Sequence, residues 1–336
     1  MSCLIKAEVD ISKIKTNALA VKKLIGDKVK LSAVVKSNAY GHGAVKISNS
    51  LYPFVDSYCV SMESEAVDLR ISGIDKEIIL LTPSLNGVER LIENQVTLTV
   101  SSKVEVLSVI KACEKLNKTA KIHLKLNTGM NRLGASTLLE VGEIINAIKD
   151  SSVKLTGALS HLGEVKNKKY LNFQYQNFLR LTEPIKNYDD KVCLHLSSSG
   201  GALLGDKYLF SMVRVGLMLY GYTPFETDKI KLDKAMRVYA KNLGVRTLNN
   251  ERFLYGDKKR KERAVTLLRV GYADGFFRST GDVSPMCMDI SGVKGAFLDD
   301  YVPIMTDALS LSKKLKTIPY EVLTSVTKRA EFVYLE

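Results

Sequence analysis

Residues 30–43 read KLSAVVKSNAYGHG, a short apolar run that ends in a lysine and a glycine-rich turn. Such a run, rich in valine and bounded by turn residues, predicts a buried β-strand. The first strand of a dinucleotide-binding sheet is followed by GxGxxG, and this stretch has no such pattern. The stretch therefore argues against a doubly wound open sheet, the main alternative for a chain in which strands and helices alternate.

From this strand to about residue 217, short apolar runs alternate with longer segments of helical period. The predicted strands are 30–36, 57–60, 78–81, 97–100, 121–127, 154–159, 192–196 and 212–217, and the helical segments include 61–72, 102–117, 137–150 and 168–187. Helical crossovers are the connections that parallel strands require. Eight such units predict an α/β fold that begins with an N-terminal TIM (β/α)8 barrel.

After residue 224 the pattern changes to shorter segments separated by turn clusters, such as 234–243, 264–270 and 332–335. Short strands with frequent turns are typical of a smaller, mainly-β C-terminal domain. We therefore expect two domains, a barrel over residues 1–230 and a β domain over residues 231–336.

The composition excludes several classes of protein. A chain of 336 residues that is 46% hydrophobic and 25% charged is neither disordered nor a small disulfide-stapled module. The five cysteines form no CxxC pair and the four histidines no HExxH motif, so no metal site is expected. The net charge of +13 leaves three readings open, namely an anionic ligand, nucleic acid or a lysine-rich surface.

The chain shows no sign of membrane insertion or export. No apolar run reaches the roughly 18 residues of a membrane span. Lys6, Glu8 and Asp10 stand where a signal peptide would carry its apolar stretch. We expect a cytoplasmic protein without a membrane partner.

Polar residues follow several of the predicted strands, at the end of the barrel where TIM-barrel active sites lie. Lys36 ends the first strand; it could be a surface lysine, or an amine among apolar neighbours that forms a Schiff base. Ser197-Ser-Ser-Gly-Gly201 follows the seventh strand, and Arg214 and Gly216 lie in the eighth. Backbone N–H groups at such places bind phosphate, although a plain helix cap has the same sequence. For His161, after the sixth strand, a hydrogen-bonded core histidine is the commoner case.

The stretch from Val34 to Gly43 resembles the pyridoxal-phosphate attachment motif of the alanine racemases, a fold-type III family. The likeness continues in family order through residues 125–134, 160–161, 195–199, 212–217, 254–256, 271–275, 287–289 and 319–321. Matches in this order along almost the whole chain make the resemblance specific. It implies a pyridoxal 5'-phosphate-bearing barrel followed by a β domain, and an amino-acid racemase activity.

The resemblance also implies roles for individual residues. Lys36 would hold the cofactor covalently and act with Tyr255 as one of two acid/base groups. The other residues similar to cofactor-binding positions are Tyr40, His161, Ser199, Arg214, Gly216, Leu217 and Tyr320; Arg132 and Met288 match substrate-binding positions, and Tyr272, Arg278 and Asp289 match the substrate entrance. By the same resemblance, His161 orients Arg214, Arg214 hydrogen-bonds the cofactor's ring nitrogen, and Lys125 matches a lysine that is carbamylated in some relatives.

In this family the counterparts of Tyr255 and Met288 come from the partner subunit, which implies a homodimer with shared active sites. The implied reaction is the interconversion of L-alanine and D-alanine by a two-base mechanism, which supplies D-alanine for peptidoglycan synthesis. Asn127, Asn131, Ser198 and Pro285 depart from the residues usual in the family. Because Pro285 replaces a common entrance arginine, serine or lysine stays open as an alternative substrate.

Two other readings compete with the racemase. The basic run 258–263 suggests a nucleic-acid-binding protein, but no RRM, KH or zinc-finger signature accompanies it, so a solvated loop is the better interpretation. We therefore expect no nucleic-acid partner. A pyridoxal-phosphate carrier without catalysis would need Lys36 but not Tyr255.

Overall fold

The computed structural model describes residues 4–84, 86–252, 263–276, 283–284, 287–289, 300–326 and 329–336. For residues 263, 272, 283–284 and 287–289 this description covers the backbone alone. The chain divides into two compact units, one of residues 14–39 and 44–233, and one of residues 1–13, 40–43 and 234–336. Within the described ranges, no helix combines the length and the apolar character that a membrane crossing needs.

Strands and helices alternate through the first two thirds of the chain. Across the described residues the strands are β1 (Ile5–Asp10), β2 (Lys30–Val34), β3 (Ser57–Val60), β4 (Glu77–Leu80), β5 (Thr97–Val100), β6 (Ala120–Lys125), β7 (Val153–Leu159), β8 (Cys193–His195), β9 (Met212–Val215), β10 (Met236–Leu248), β11 (Arg263–Leu268), β12 (Val283–Ser284), β13 (Cys287–Asp289), β14 (Tyr301–Met305) and β15 (Glu331–Leu335). The helices are α1 (Ile11–Ile25), α2 (Lys36–Tyr40), α3 (Ala44–Leu51), α4 (Glu63–Ile71), α5 (Val88–Glu93), α6 (Lys103–Leu116), α7 (Leu138–Ile148), α8 (Lys168–Tyr188), α9 (Ser199–Ala202), α10 (Ala308–Leu315) and α11 (Pro319–Ser325). The eight strands predicted from the sequence correspond to β2–β9.

These eight strands form one parallel sheet in the order β8-β7-β6-β5-β4-β3-β2-β9. The two ends of that order also meet, because Arg214 N donates to Ser197 O at 3.0 Å and Ser211 N donates to Leu194 O at 2.9 Å. An isolated parallel bridge between Ser198 and Arg214 completes the closure. The predicted TIM (β/α)8 barrel is confirmed, and the carboxyl ends of its strands share one rim.

Local sequence explains where the barrel helices begin and which face they bury. Helix α7 begins with a capping box, in which Glu140 N donates to Thr137 Oγ1 at 3.2 Å and Thr137 N donates to Glu140 Oε2 at 2.9 Å. Helix α8 buries Leu171, Phe178 and Ile185, which are seven residues apart. Residues at this spacing lie on one side of a helix. The apolar faces of such helices cover the outside of a sheet whose strands are nearly all buried.

The second unit is a mixed sheet centred on β10. Strands β1, β11 and β14 pair with β10 in antiparallel fashion, and β15 pairs with β1 in parallel. The predicted mainly-β character is confirmed, with α10 and α11 added to it. The predicted ranges 1–230 and 231–336 do not coincide with the two units, because β1 is hydrogen-bonded into the sheet formed by the end of the chain.

Candidate active site

Cationic residues collect at the carboxyl ends of the barrel strands. Lys36 follows β2 by two residues, Lys125 ends β6, and Arg214 lies within β9. Arg132 lies in the loop after β6. The charges of Arg214, Arg132 and Lys36 each lower the pKa of Lys125, so these four side chains lie near one another.

The segment after Lys36, labelled α2, is a left-handed turn and not a right-handed α-helix. Ser37, Asn38 and Ala39 each have φ 54°, and Tyr40 has φ 49°, which is the left-handed region. For residues other than glycine this conformation costs roughly 1–2 kcal/mol per residue. The turn is held by Ser37 N donating to Glu65 Oε1 at 2.5 Å and by Ala44 N donating to Asn38 Oδ1 at 2.9 Å. Strain held in place by such bonds is typical of functional sites.

Arg214 is buried and its guanidinium is nearly fully hydrogen-bonded. Nη1 donates to His195 Nδ1 at 2.9 Å and to His195 O at 2.8 Å. Nη2 donates to Ser160 O at 2.5 Å and to Leu196 O at 3.3 Å. A guanidinium has five N–H donors, and among the described residues Arg214 Nε–H has no acceptor. Burial lowers the pKa of Arg214 to about 10, so it stays protonated at neutral pH.

His161 lies close to this guanidinium but is not among its hydrogen-bond partners in the described part of the chain. Burial, then the charges of Arg214 and Lys125, lower the pKa of His161 to about 3. Its ring is therefore neutral. Within the described residues, the hydrogen bonds of Arg214 go to the His195 ring and to backbone carbonyls. The resemblance gave His195 no role, although its position at the end of a predicted barrel strand was a signal for it.

The barrel interior also contains a histidine pair. His195 Nε2 lies 3.0 Å from His123 Nδ1, and both rings are buried. His123 precedes Lys125 by two residues in β6, and alternate residues of a strand face the same side. That spacing was the available sequence signal for placing His123 beside the lysine.

Lys125 is buried at the centre of the cationic cluster. Burial, and after it the charges of Arg214, Arg132 and Lys36, lower its pKa to about 7. The neighbouring Cys59 thiol does not balance these charges, because burial raises its pKa to about 11 and keeps it neutral. Such a cluster favours the binding of anions.

Two helical turns meet after the seventh and eighth barrel strands. In α9 the first N–H that bonds within the helix is that of Ala202, which donates to Ser198 O. In the 3-10 turn Leu217–Tyr220 the first is that of Leu219, which donates to Gly216 O. N–H groups that precede the first intrahelical bond are free to bind an anion. The two turns touch, because Met218 N donates to Ser199 Oγ at 3.4 Å. This arrangement fits a phosphate group at the position usual in TIM barrels.

An asparagine orders the loop that carries Arg132. Asn127 Oδ1 accepts hydrogen bonds from Gly129 N at 3.1 Å and Asn131 N at 2.9 Å. Asn127 Nδ2 donates to Asn131 Oδ1 and to Ser136 Oγ, both at 3.1 Å. Asn131 has φ 55°, a conformation that asparagine tolerates better than most residues. Asn127 and Asn131, which both depart from the residues usual in the family, thus bond to each other. Arg132, next to Asn131, is exposed.

The remaining predicted residues belong to the second unit or lie outside the description. Tyr40 and Tyr320 pack edge to face with ring centroids 5.4 Å apart. Tyr255 and Arg278 lie outside the described residues. Met288 and Asp289 are backbone positions of β13, and Tyr272 begins the 3-10 turn Tyr272–Asp274. Over the described part of the chain, no group of three His, Cys, Asp or Glu side chains is placed to hold a metal ion.

Comparisons with known proteins agree with this arrangement. Residues 9–224 match the family described as alanine racemase, N-terminal domain. Alanine racemase 2 of Oceanobacillus iheyensis is 32% identical over an alignment that covers 98% of this chain and 92% of that protein. Alanine racemase of Clostridium difficile has a similar structure, with a TM-score of 0.93, 26% identity, and coverage of 100% and 97% of the two chains. Alanine racemase of Bartonella henselae, whose structure holds covalently bound pyridoxal phosphate, shares the fold, with a TM-score of 0.87, 24% identity, and coverage of 99% and 100%. The chain belongs to the alanine racemase family of pyridoxal-phosphate-dependent isomerases.

Proposed function

We propose that this protein interconverts L-alanine and D-alanine with pyridoxal 5'-phosphate as its cofactor, and that the D-alanine serves peptidoglycan synthesis. The observation that carries the proposal is the buried Arg214, which keeps one guanidinium donor without an acceptor among the described residues. It lies in the same barrel as Lys36 and the two anion-binding turns. The family to which the chain belongs supplies the reaction and the substrate.

The residues present fit the cofactor. Lys36 Nζ would form the covalent link. The N–H groups of Ser199, Gly216 and Leu217 would bind the phosphate. By the family pattern, the hydroxyls of Tyr40 and Tyr320 would donate hydrogen bonds to the same phosphate. Arg214 Nε–H would donate to the ring nitrogen and, since arginine does not give up its proton, would leave that nitrogen unprotonated. When bound, pyridoxal phosphate withdraws electrons from the α-carbon of a linked amino acid and makes its proton acidic.

Two acid/base groups account for racemisation. The proton removed from one face of the α-carbon must be returned to the opposite face, so groups on both sides are needed. Lys36 Nζ would take or return the proton on one face and Tyr255 Oη on the other. Arg132, next to the ordered loop of Asn127, would bind the substrate carboxylate, with Met288 beside it. Tyr272, Arg278 and Asp289 would line the entrance.

We also infer that Lys125 reacts with carbon dioxide. At a pKa of about 7 a large share of its amine is neutral at physiological pH, and the neutral amine is the nucleophile. The ammonium first gives up one proton to solvent. Addition of the neutral amine nitrogen to the carbon of CO2, with loss of one N–H proton to solvent, then gives a carbamate, so that with the loss of two protons a cation is replaced by an anion. An anion here would relieve the repulsion among Lys36, Arg132 and Arg214.

The substrate assignment is tested with the purified protein. L-Alanine is expected to give D-alanine faster than L-serine or L-lysine give their enantiomers. All three amino acids would bind the same carboxylate site, and alanine has the smallest side chain. Chiral chromatography of the products measures the three rates. Removal of the cofactor with hydroxylamine should stop the reaction, and added pyridoxal phosphate should restore it. Faster turnover of lysine than of alanine would contradict the assignment.

Tyr255→Phe tests the second acid/base group. The variant is expected to lose roughly 10²- to 10⁴-fold in kcat while still binding cofactor, because the phenol proton is lost and the ring stays. Tyr239→Phe, a conservative change in β10, is the matched control. Unchanged racemisation by Tyr255→Phe would favour another group as the second acid/base residue.

Mixing two inactive variants extends this test to the dimer. If Tyr255 is supplied by the partner subunit, a heterodimer of Lys36→Ala and Tyr255→Phe chains contains one intact site. Random exchange of subunits should then restore about a quarter of the wild-type activity. If each chain supplied both groups to its own site, the mixture would stay inactive.

A further inference from the structure

A row of four side chains leads away from the candidate cofactor site through the barrel interior. His195 Nδ1 lies 2.9 Å from Arg214 Nη1, and His195 Nε2 lies 3.0 Å from His123 Nδ1. The other ring nitrogen of His123, Nε2, lies 3.9 Å from Glu77 Oε1, which accepts a hydrogen bond from Thr97 Oγ1 at 2.9 Å. Glu77 is the first residue of β4 and is partly exposed. The row therefore connects Arg214 to the amino-terminal end of the barrel.

The donor and acceptor of each contact follow from the chemistry of Arg214. A guanidinium only donates, so His195 Nδ1 accepts and the proton of the neutral ring is on Nε2. His195 Nε2–H then donates to His123 Nδ1. The proton of the neutral His123 ring is therefore on its Nε2, the nitrogen that faces Glu77.

Both rings are neutral at pH 7. Burial lowers the pKa of His123 to about 4, although Glu77 acts in the opposite direction. Burial and the Arg214 charge hold the pKa of His195 well below its usual value. A neutral His195 presents an acceptor to Arg214, whereas a cationic one would present a second positive charge.

We propose that His123, oriented by Glu77, is a positioning residue that keeps His195 in its Nε2–H tautomer and thereby keeps an acceptor against Arg214. Without His123 the buried Nε2–H of His195 loses its acceptor in this row, a state that buried donors avoid by turning or by moving the proton. Either change weakens the contact of His195 with Arg214. The consequence for the cofactor rests on the proposed function, but the tautomer itself does not.

The tautomer can be measured directly in the holoenzyme at pH 7. The chain has four histidines, so ¹⁵N labelling of histidine gives few signals, and single substitutions assign them. We expect His123 and His195 both to carry their proton on Nε2. A proton on Nδ1 of His195, or a cationic His195, would overturn the proposal whether or not alanine proves to be the substrate.

Two substitutions at His123 then separate positioning from simple packing. His123→Phe keeps a ring but removes the acceptor, and His123→Asn keeps a polar acceptor near the Nδ1 position. We expect the Phe variant to lose about tenfold in kcat, with little change in KM, and to shift the visible absorption maximum of the bound cofactor. The Asn variant should recover most of both.

Thr99→Val is the matched control, since Thr99 pairs with His123 in the β5–β6 ladder and its buried hydroxyl has no partner among the described residues. It should leave kcat and the absorption maximum unchanged. If His123→Phe behaves like Thr99→Val in both measurements, the proposal is wrong. If the Phe variant does not fold, the labelled spectrum of the unaltered enzyme still decides.

Discussion

Lys36→Ala is expected to abolish racemisation, lowering the rate of D-alanine formation by about 10⁴-fold. The amine supplies both the covalent attachment of the cofactor and one of the two acid/base groups, and no other group at that position replaces it in the variant. The variant should also lose the visible absorption of lysine-bound cofactor. Absorption spectra and chiral chromatography of the same preparation measure the two effects.

The loss should be chemical and not structural. Lys36 is only partly buried, so its removal should change the free energy of unfolding by no more than about 0.5 kcal/mol. Lys30→Ala, at the exposed opposite end of the same strand, is the matched control and should keep both the absorption and the activity. If Lys36→Ala keeps the visible band, another amine holds the cofactor, and Lys125 becomes the first candidate because its lowered pKa makes it reactive.

The barrel could be predicted from the sequence because its determinants are local. Each of β2–β9 is a short apolar run, and the helices between them have their own period and caps, such as Thr137 and Glu140 in α7. Lys36 and Arg214 could be placed at the active rim for the same reason, since the rim is where the predicted parallel strands end. The resemblance to the family then gave these positions their roles.

Contacts between distant parts of the chain were harder to predict. Strand β1 joins β10 and β15, which lie more than 200 residues away in the sequence, and no local pattern specifies such pairing. The left-handed backbone of residues 37–40 is held by Glu65 in another β/α unit, so the sequence KSNAY alone does not predict it. Both features depend on tertiary structure that local periodicity does not contain.

The same reason explains why the histidine row was missed. His123 and His195 are buried histidines within barrel strands, where a hydrogen-bonded core histidine is the ordinary expectation. Their importance comes from the neighbour that the barrel closure brings to them, because β9 places Arg214 within 2.9 Å of His195. The sequence resemblance directed attention to His161, which lies near the guanidinium without bonding to it.

Arg214→Met is expected to have the largest effect on stability, lowering the free energy of unfolding by about 3 kcal/mol. Methionine has a similar length and no donors, so it removes the guanidinium from the carbonyls of Ser160 and Leu196 and from the His195 ring. The His195 carbonyl also loses this donor but keeps the Ser160 N–H at 3.3 Å. In the CO2-free protein, removal of a buried cation also relieves repulsion with the Lys125 ammonium, which offsets part of this cost. The unpaired acceptors dominate, since each buried one costs about 1–3 kcal/mol.

Denaturant unfolding of the variant, compared with Arg180→Met on the exposed side of α8, measures this difference. Arg180→Met should change the free energy of unfolding by less than about 0.5 kcal/mol. In Arg214→Met protein kept free of CO2, so that Lys125 retains its amine, the pKa of Lys125 should rise toward that of a free lysine, because the charge of Arg214 is the largest contribution to its lowering after burial. A variant as stable as Arg180→Met would mean that water replaces the guanidinium at all four acceptors. The rigid placement of Arg214 by hydrogen bonds, on which the cofactor assignment depends, would then be wrong.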